Sequence, residues 1–314
     1  MEDPSLIFID EKDPNSWEIV PFEDLRSTTA PPSKTGFSGL ALKWPNLFAA
    51  SWDRVFVIDL RSQAVIDQID CKSFSDLHSI TLDEAGRLWI SNTNLDGIYV
   101  ADGQTVCPVW HAWEERRLGR KLRIDQRDYR ILTKDVLPYH RFHVNAVCPF
   151  ESVLVCSFLG VVREPGFARR VIRRFGLGRN EDLDPVGGYF IIDRADRKLI
   201  STVKLDGIHD VKPYGKSSVL STQYFTNTVI QFDIKSSAIT RTKLRIPESL
   251  HRQYLTRGIL SDRNSILVGH TQRRGWTETS PSALLRRYDM SGNWLEWEAT
   301  VPDVVGIYDF VRTP

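Results

Sequence analysis

With 41 basic and 40 acidic side chains among 314 residues, the chain carries a formal charge of +1, which excludes wholesale attraction to nucleic acid. Its 41% hydrophobic and 11% aromatic content supplies a large core and excludes a disordered polymer. The N-terminus MEDPSLIFIDEKD is acidic where a secretory signal is basic, and no run approaches the roughly 20 apolar residues of a membrane span, so a cytoplasmic protein without membrane contact is expected.

In chain order, Leu6-Ile7-Phe8-Ile9-Asp10 and Trp17-Glu18-Ile19-Val20 read as two strands with no predecessor. A four-strand unit then recurs: an apolar strand, a strand ending in small polar residues, a strand ending near Asp, and a fourth. Its first copy is Phe37–Leu42, Leu47–Ser51, Val55–Asp59 and Ala64–Ile66. The second is the clearest: Leu77–Leu82, the turn Asp83–Gly86, Arg87–Asn92, Gly97–Asp102, and Val106 to Trp110. A third starts at Val144, breaks after Phe158 and resumes at Gly188. The fourth runs from Ile208 to Leu244, and a fifth starts at Arg257 and resumes at Leu284. Gly306–Val311 is a first strand without successors.

First strands thus begin near 37, 77, 144, 208, 257 and 307. Four-stranded units at this spacing are propeller blades. The expected fold is all-β: a six-bladed β-propeller in one domain spanning residues 1–314. The ring closes by pairing the N-terminal strands with the C-terminal one, in a sixth blade one strand short. The N-terminal 35 residues leave five or seven blades as alternatives. Of the four cysteines, Cys148 and Cys156 fall on neighbouring strands of one hairpin; two buried thiols are expected rather than a bridge.

Residues 77–102, LHSITLDEAGRLWISNTNLDGIYVAD, resemble a repeat of the NHL and streptogramin-lyase propellers, and of the six-bladed gluconolactonase and senescence-marker group. The stretch from Gly187 to Asp233 is similar to bacterial propeller proteins of uncharacterised families. The resemblance covers three blades and implies the fold. For chemistry it implies either lactone opening by metal-assisted elimination with an axial histidine, or lactone hydrolysis with a metal held by carboxylate and asparagine. The chain has no clear axial Glu/Asp ring, which departs from the second pattern. Carotenoid-oxygenase propellers hold iron with four histidines, but they are longer and seven-bladed.

In a propeller, first strands line the axial channel, and loops joining blades or joining second to third strands share one face. Lid-like insertions at 111–140, 159–186 and 271–283 should therefore cover that face. They carry nets of +3, +2 and +1, which leaves −5 for the rest of the chain. Arg169, Arg170, Arg173, Arg174, Arg273 and Arg274 would ring a cationic mouth suited to anionic ligands.

Aligning the first strands on their apolar positions brings Ser38, His78, Asn145, His209, Arg257 and Tyr308 to one inward position. His143 lies two residues before Asn145 on the same side, and Asn92, Gln223 and His270 stand at second-strand ends. Convergent His78, His143, His209 and His270 suggest a divalent-metal site for Zn, Mn or Fe(II), with Mg and Ca as further candidates. A metal-free reading makes His78 or His209 a general base, Arg257 a carboxylate partner and Tyr308 a proton donor. Ser38, Asn92, Asn145, Gln223, Arg173, Arg174, Arg273 and Trp276 are the expected substrate contacts. Asp210 and Asp309 should point away into the blades, and His111, His140 and His251 read as loop residues without a role.

The functional expectation is a metal-dependent lyase or hydrolase acting on a small anionic substrate in the axial channel. The alternative is a non-catalytic propeller that docks a protein partner or glycan through a basic, aromatic rim containing Trp110, Trp113 and Trp276.

Overall fold

The computed structural model describes residues 4–22, 25, 36–115, 118, 141–162, 183–184, 186–262, 264–272, 282–302, 304 and 307–314. The chain begins with the hairpin β1 (Ser5–Asp10) and β2 (Asp13–Pro21). Blade one is β3 (Gly39–Lys43), β4 (Asn46–Ala50), β5 (Arg54–Asp59) and β6 (Ala64–Asp70). Blade two is β7 (Leu77–Leu82), β8 (Leu88–Asn92), β9 (Gly97–Asp102) and β10 (Thr105–His111). Blade three is β11 (Val144–Pro149), β12 (Val153–Phe158), β15 (Val186–Asp193) and β16 (Leu199–Asp206), with the small pair β13 (Val161–Val162) and β14 (Leu183–Asp184) inserted. Blade four is β17 (Lys212–Tyr214), β18 (Ser218–Gln223), β19 (Thr228–Asp233) and β20 (Ile239–Lys243). Blade five is β21 (Tyr254–Ser261), β22 (Ser265–Gln272), β23 (Ser282–Asp289) and β24 (Leu295–Pro302). Each of these five sheets is antiparallel with its strands in chain order.

β1–β2 and the C-terminal segment make the sixth blade. Alternation along β1 sends Leu6 and Phe8 into a core with Leu47, Phe56 and Ile58 of blade one, and Ile7 and Ile9 into a core with Leu285 and Val301 of blade five. The C-terminal segment contributes to the same two cores, Val311 to the first and Ile307 and Phe310 to the second. The remaining apolar clusters lie between successive blades, so the molecule is a six-bladed propeller. The expected C-terminal strand is not a ladder strand, however: residues 307–314 carry no strand assignment. Charge helps to close the ring. Glu11 in the β1–β2 turn pairs with Arg312 at 2.8 Å and Arg287 at 2.7 Å, and Arg287 also meets Asp262 and Glu296 at 2.8 Å.

The repeat holds its turns with acid side chains. Asp59, Asp102, Asp193, Asp233 and Asp289 each end a third strand. Four of these carboxylates accept backbone N–H bonds from the following turn, those of Arg61, Ala195, Ser236 and Trp294. Such bonds give the turn a local partner and hold the carboxyls of Asp59, Asp233 and Asp289 below their ordinary range.

Other staples run from blade to blade. The left-handed Asp96 is fully buried and accepts N–H bonds from Arg141, Phe142 and Val144 at the entrance to blade three. Asn227, likewise left-handed before a third strand, accepts from the Thr256 hydroxyl of blade five. Ser91 and Ser157 donate at 2.7 Å to the carbonyls of Asn145 and His209 in the next blade. These bonds explain why second strands end in small polar residues: a larger side chain would hold the neighbouring inner strand away.

Three expectations are corrected. Trp110 and Trp113 are buried and form no rim: Trp110 packs on Phe190, and Trp113 donates to the Leu95 carbonyl. His111 is not a loop residue; it ends β10, buried, with Nε2 3.1 Å from the Tyr99 hydroxyl. His251 sits on the short helix Glu248–Gln253. Cys148 and Cys156 are buried thiols that enter different cores, on opposite faces of their sheet. Among the described residues no helix is long and apolar enough to cross a membrane.

Candidate axial site

The inner strands deliver their side chains to the axis through irregularities in the ladder. In blade two Leu77 faces Asn92 and Ser79 faces Ser91, so His78 is an extra residue; Asn145 is extra in the same way between Val144 and Ala146. In blade five the shift falls beside Arg257, at the left-handed Gly258. In blade four Ile208 bridges Gln223, while regular pairing resumes only at Lys212 with Leu220. A bulge re-aims the residue it releases from the ladder. His143 arrives differently. It precedes β11 in the left-handed region (φ 56°), which costs a non-glycine residue about 1–2 kcal/mol. Its direction is set by this turn, not by strand alternation.

The result is a continuous chain of side chains. His143 meets His78 edge-on with ring centres 5.1 Å apart, and His78 lies 6.1 Å from His209. His209 stacks on Tyr224 at 5.4 Å and 20°. The Arg257 guanidinium lies 5.0 Å from the Tyr224 ring centre and 4.8 Å from that of Tyr308. Five residues read from the sequence are thereby joined, and Tyr224 is added. It follows Gln223, where the expected second strand ended, so its signal was its place in the turn.

The remaining expected residues play other parts. The Ser38 hydroxyl donates to the Leu77 and Ala50 carbonyls, joining blades one and two beside His78. The Asn92 amide bonds the Ser73 carbonyl and the Ser75 N–H, and Gln223 accepts from the Thr226 hydroxyl, so both are engaged in turns. Asn145 is 1% exposed, and both its amide atoms lack a hydrogen-bond partner among the described residues. His270 is buried in blade five and touches none of the other three histidine rings among the described contacts. Arg169, Arg170, Arg173, Arg174, Arg273, Arg274, Trp276 and His140 lie outside the described residues.

Electrostatics single out His209. Its Nδ1 is 2.9 Å from Asp210 Oδ1, while the other Asp210 oxygen accepts from the Thr222 hydroxyl and from Gly258 N–H. Burial pushes the His209 pKa down, Asp210 pulls it up and Arg257 pushes it down again, and the net shift is downward. Burial raises Asp210, but His209 and its hydrogen bonds bring it below the ordinary carboxylate value. A neutral imidazole donating Nδ1–H to an ionised Asp210 satisfies both directions. It leaves His209 Nε2 as a buried acceptor without a partner among the described residues.

Asp210 was expected to point into the blade; it does bond the blade, and it also orients the base. Asp309 pairs with Lys212 at 2.7 Å and accepts from Leu40 N–H, which ties the C-terminal segment to blades one and four. Arg257 stays cationic. Its Nε has no hydrogen-bond partner and its guanidinium no ion pair among the described residues, a state that suits capture of an anion.

A metal centre is a separate question. Three of the four expected ligands adjoin, yet among the described residues no set of three or more His, Cys, Asp and Glu side chains is arranged to hold an ion. His209 has one nitrogen taken by Asp210, and His78 Nε2 lies 3.3 Å from Asp76.

No protein-family model matches the chain, and no curated protein matches its sequence. Solved structures do resemble it. A Bacteroides caccae protein of unknown function is 10% identical with a TM-score of 0.53, over 95% of this chain and 94% of that one. The Cps50 (Swd1) β-propeller domain of Myceliophteria thermophila is 9% identical with a TM-score of 0.49, over 84% and 73%. A catalytically inactive virginiamycin B lyase from Staphylococcus aureus is 10% identical with a TM-score of 0.47, over 85% and 70%. Likenesses this distant speak to the fold alone.

Proposed function

We propose that the axial site binds a small anionic substrate and carries out acid–base elimination or hydrolysis on it. One observation carries this reading: the half-buried Arg257, without an ion pair among the described residues, and His209, whose Nε2 has no partner among them, both lie against the Tyr224 ring. Arg257 holds the substrate carboxylate or phosphate. His209, oriented by Asp210, takes the proton, either from the carbon next to the carboxylate or from an attacking water. Tyr308, beside Arg257, returns a proton to the leaving oxygen. In the elimination the C–H pair becomes the new double bond as the C–O bond breaks, so no oxidant is required. His78 and His143 continue the row of rings beyond His209.

Metal dependence of the kind implied by the resemblance would rest on His78, His143, His209 and His270. Among the described residues no three His, Cys, Asp or Glu side chains are arranged to hold an ion, and the proposed reaction needs only side chains and water. Elemental analysis of tag-free protein is expected to show substoichiometric metal. Stoichiometric metal that vanishes in a folded His78→Ala/His209→Ala variant would restore the metal-assisted reading.

The test is a thermal-shift screen of small carboxylates, phosphate esters and lactone acids, with each hit followed by proton NMR. A ligand that stabilises the parent but not Arg257→Gln, and that gains an olefinic proton or loses its ester, supports the proposal. Hits that are indifferent to Arg257 and to His209→Ala would overturn it.

A further inference from the structure

Among the described residues the sixth blade has no strand between β1 and the C-terminal segment, and a cleft of about 670 Å³ lies there. One wall is Leu6–Glu11 with Ser16, Trp17 and Glu18; the other is Asp309–Thr313; Leu40, Leu47 and Leu60 of blade one form a side. Both walls feed the same two cores, Leu6, Phe8 and Val311 one of them and Ile7, Ile9 and Phe310 the other. The walls are bound at one end through Glu11 and Arg312, but β1 pairs only with β2 among the described residues.

Burial gives a second, independent sign. The third strands β5, β9, β19 and β23 are buried over most of their length, whereas in β1, at the corresponding place, only Leu6 is buried. The half-buried residues Ile7, Phe8 and Ile9 stand beside the cleft. β1 has the exposure of an edge strand at a position that is interior in the other blades. Such an edge is a template for another strand.

We propose that this cleft receives one extended segment of a partner protein by strand addition between β1 and the C-terminal segment. The fold specifies that segment. At about 3.3 Å per residue, six residues match β1. The second strands β8, β12 and β18 are buried on both faces, so the occupant carries small or β-branched apolar side chains on both faces.

Charge adds a condition. Among the described residues the cleft's charged lining is Asp10, Glu11, Glu18 and Asp309 against Arg312. Glu11 and Asp309 have Arg and Lys partners, while Asp10 and Glu18 have no ion pair among the described residues. Asp10 stands at the end of β1 and Glu18 opposite Phe8 in its middle, so the occupant is basic, most of all where it meets Asp10. Main-chain bonds provide the affinity and the charges the selection.

The probe is a fluorescein-labelled peptide, KRVVITVRK, titrated with the full chain by fluorescence polarisation and followed by hydrogen exchange. Saturable binding on the order of 10 μM is expected, with slowed exchange in residues 5–10. Asp10→Lys/Glu18→Lys, two exposed changes, should weaken binding about fivefold without lowering the melting temperature. The acid-flanked peptide EEVVITVEE should bind worse, and KRVPIPVRK, which cannot complete a ladder, should not bind. No binding, equal binding of the proline peptide, or unchanged exchange at 5–10 would overturn the proposal. Sedimentation showing a dimer that itself protects residues 5–10 would overturn it in favour of a second copy.

Discussion

Two sets of repeated positions in this propeller behave in opposite ways. At the holding positions the copies agree: Asp ends five third strands, Asp96 and Asn227 occupy the same left-handed turn, and Ser91 and Ser157 make the same bond to the next blade. At the first-strand position aligned from the sequence the copies disagree, with Ser38, His78, Asn145, His209, Arg257 and Tyr308 in turn. A repeat must solve the same mechanical problem in each blade, so its staples recur. The axis is shared by all blades, so each copy can supply a different group to one common site.

The comparison breaks if an axial change unfolds the protein or a staple change spares it. The largest effect is expected at His209. His209→Ala should reduce turnover of any substrate found by the screen about 1,000-fold, while the melting temperature changes little. Asp210→Asn should lower it less and shift the acid limb of the pH profile, because it alters orientation rather than removing the base. Next is Asp96→Ala, which strands three backbone N–H groups at the entrance to blade three. It should cost about 3 kcal/mol in urea unfolding.

Acid sharpens the contrast further. Burial drives His111 and His270 down to about 3. Their folded pKa values lie below the unfolded one, so the stability they allow is complete above about pH 6.5 and is lost as pH falls towards 3. At pH 5 each should cost about 2 kcal/mol, seen as a falling urea midpoint well above the carboxylate range. His270→Gln should flatten that slope. The smallest effect belongs to Arg287→Ala at the ring closure, about 1 kcal/mol and weaker in high salt, since the network is partly exposed.

Legibility followed the range of the forces involved. Strands β7 and β9 match their expected limits, because alternation and turn chemistry are local. The inner strand expected at Ile208 begins in regular pairing only at Lys212, because His209 and Asp210 spend their bonds on Thr222 of their own blade and on Gly258 of blade five. Tyr224 and the orienting part of Asp210 were not visible, since each depends on a partner from another strand or blade.

What the amino-acid sequence determined by itself was the repeat: its period, its Asp-terminated third strands and the inner-strand starts at Leu77 and Val144, all set by neighbours within a few residues. Tertiary structure decided the rest. Bulges at His78 and Asn145 chose which residue leaves the ladder, a left-handed turn turned His143 onto His78, and burial between blades lowered the His209 pKa near Arg257, which has no ion pair among the described residues. A one-residue shift in a strand reverses every side chain, and only contacts between blades can choose the register.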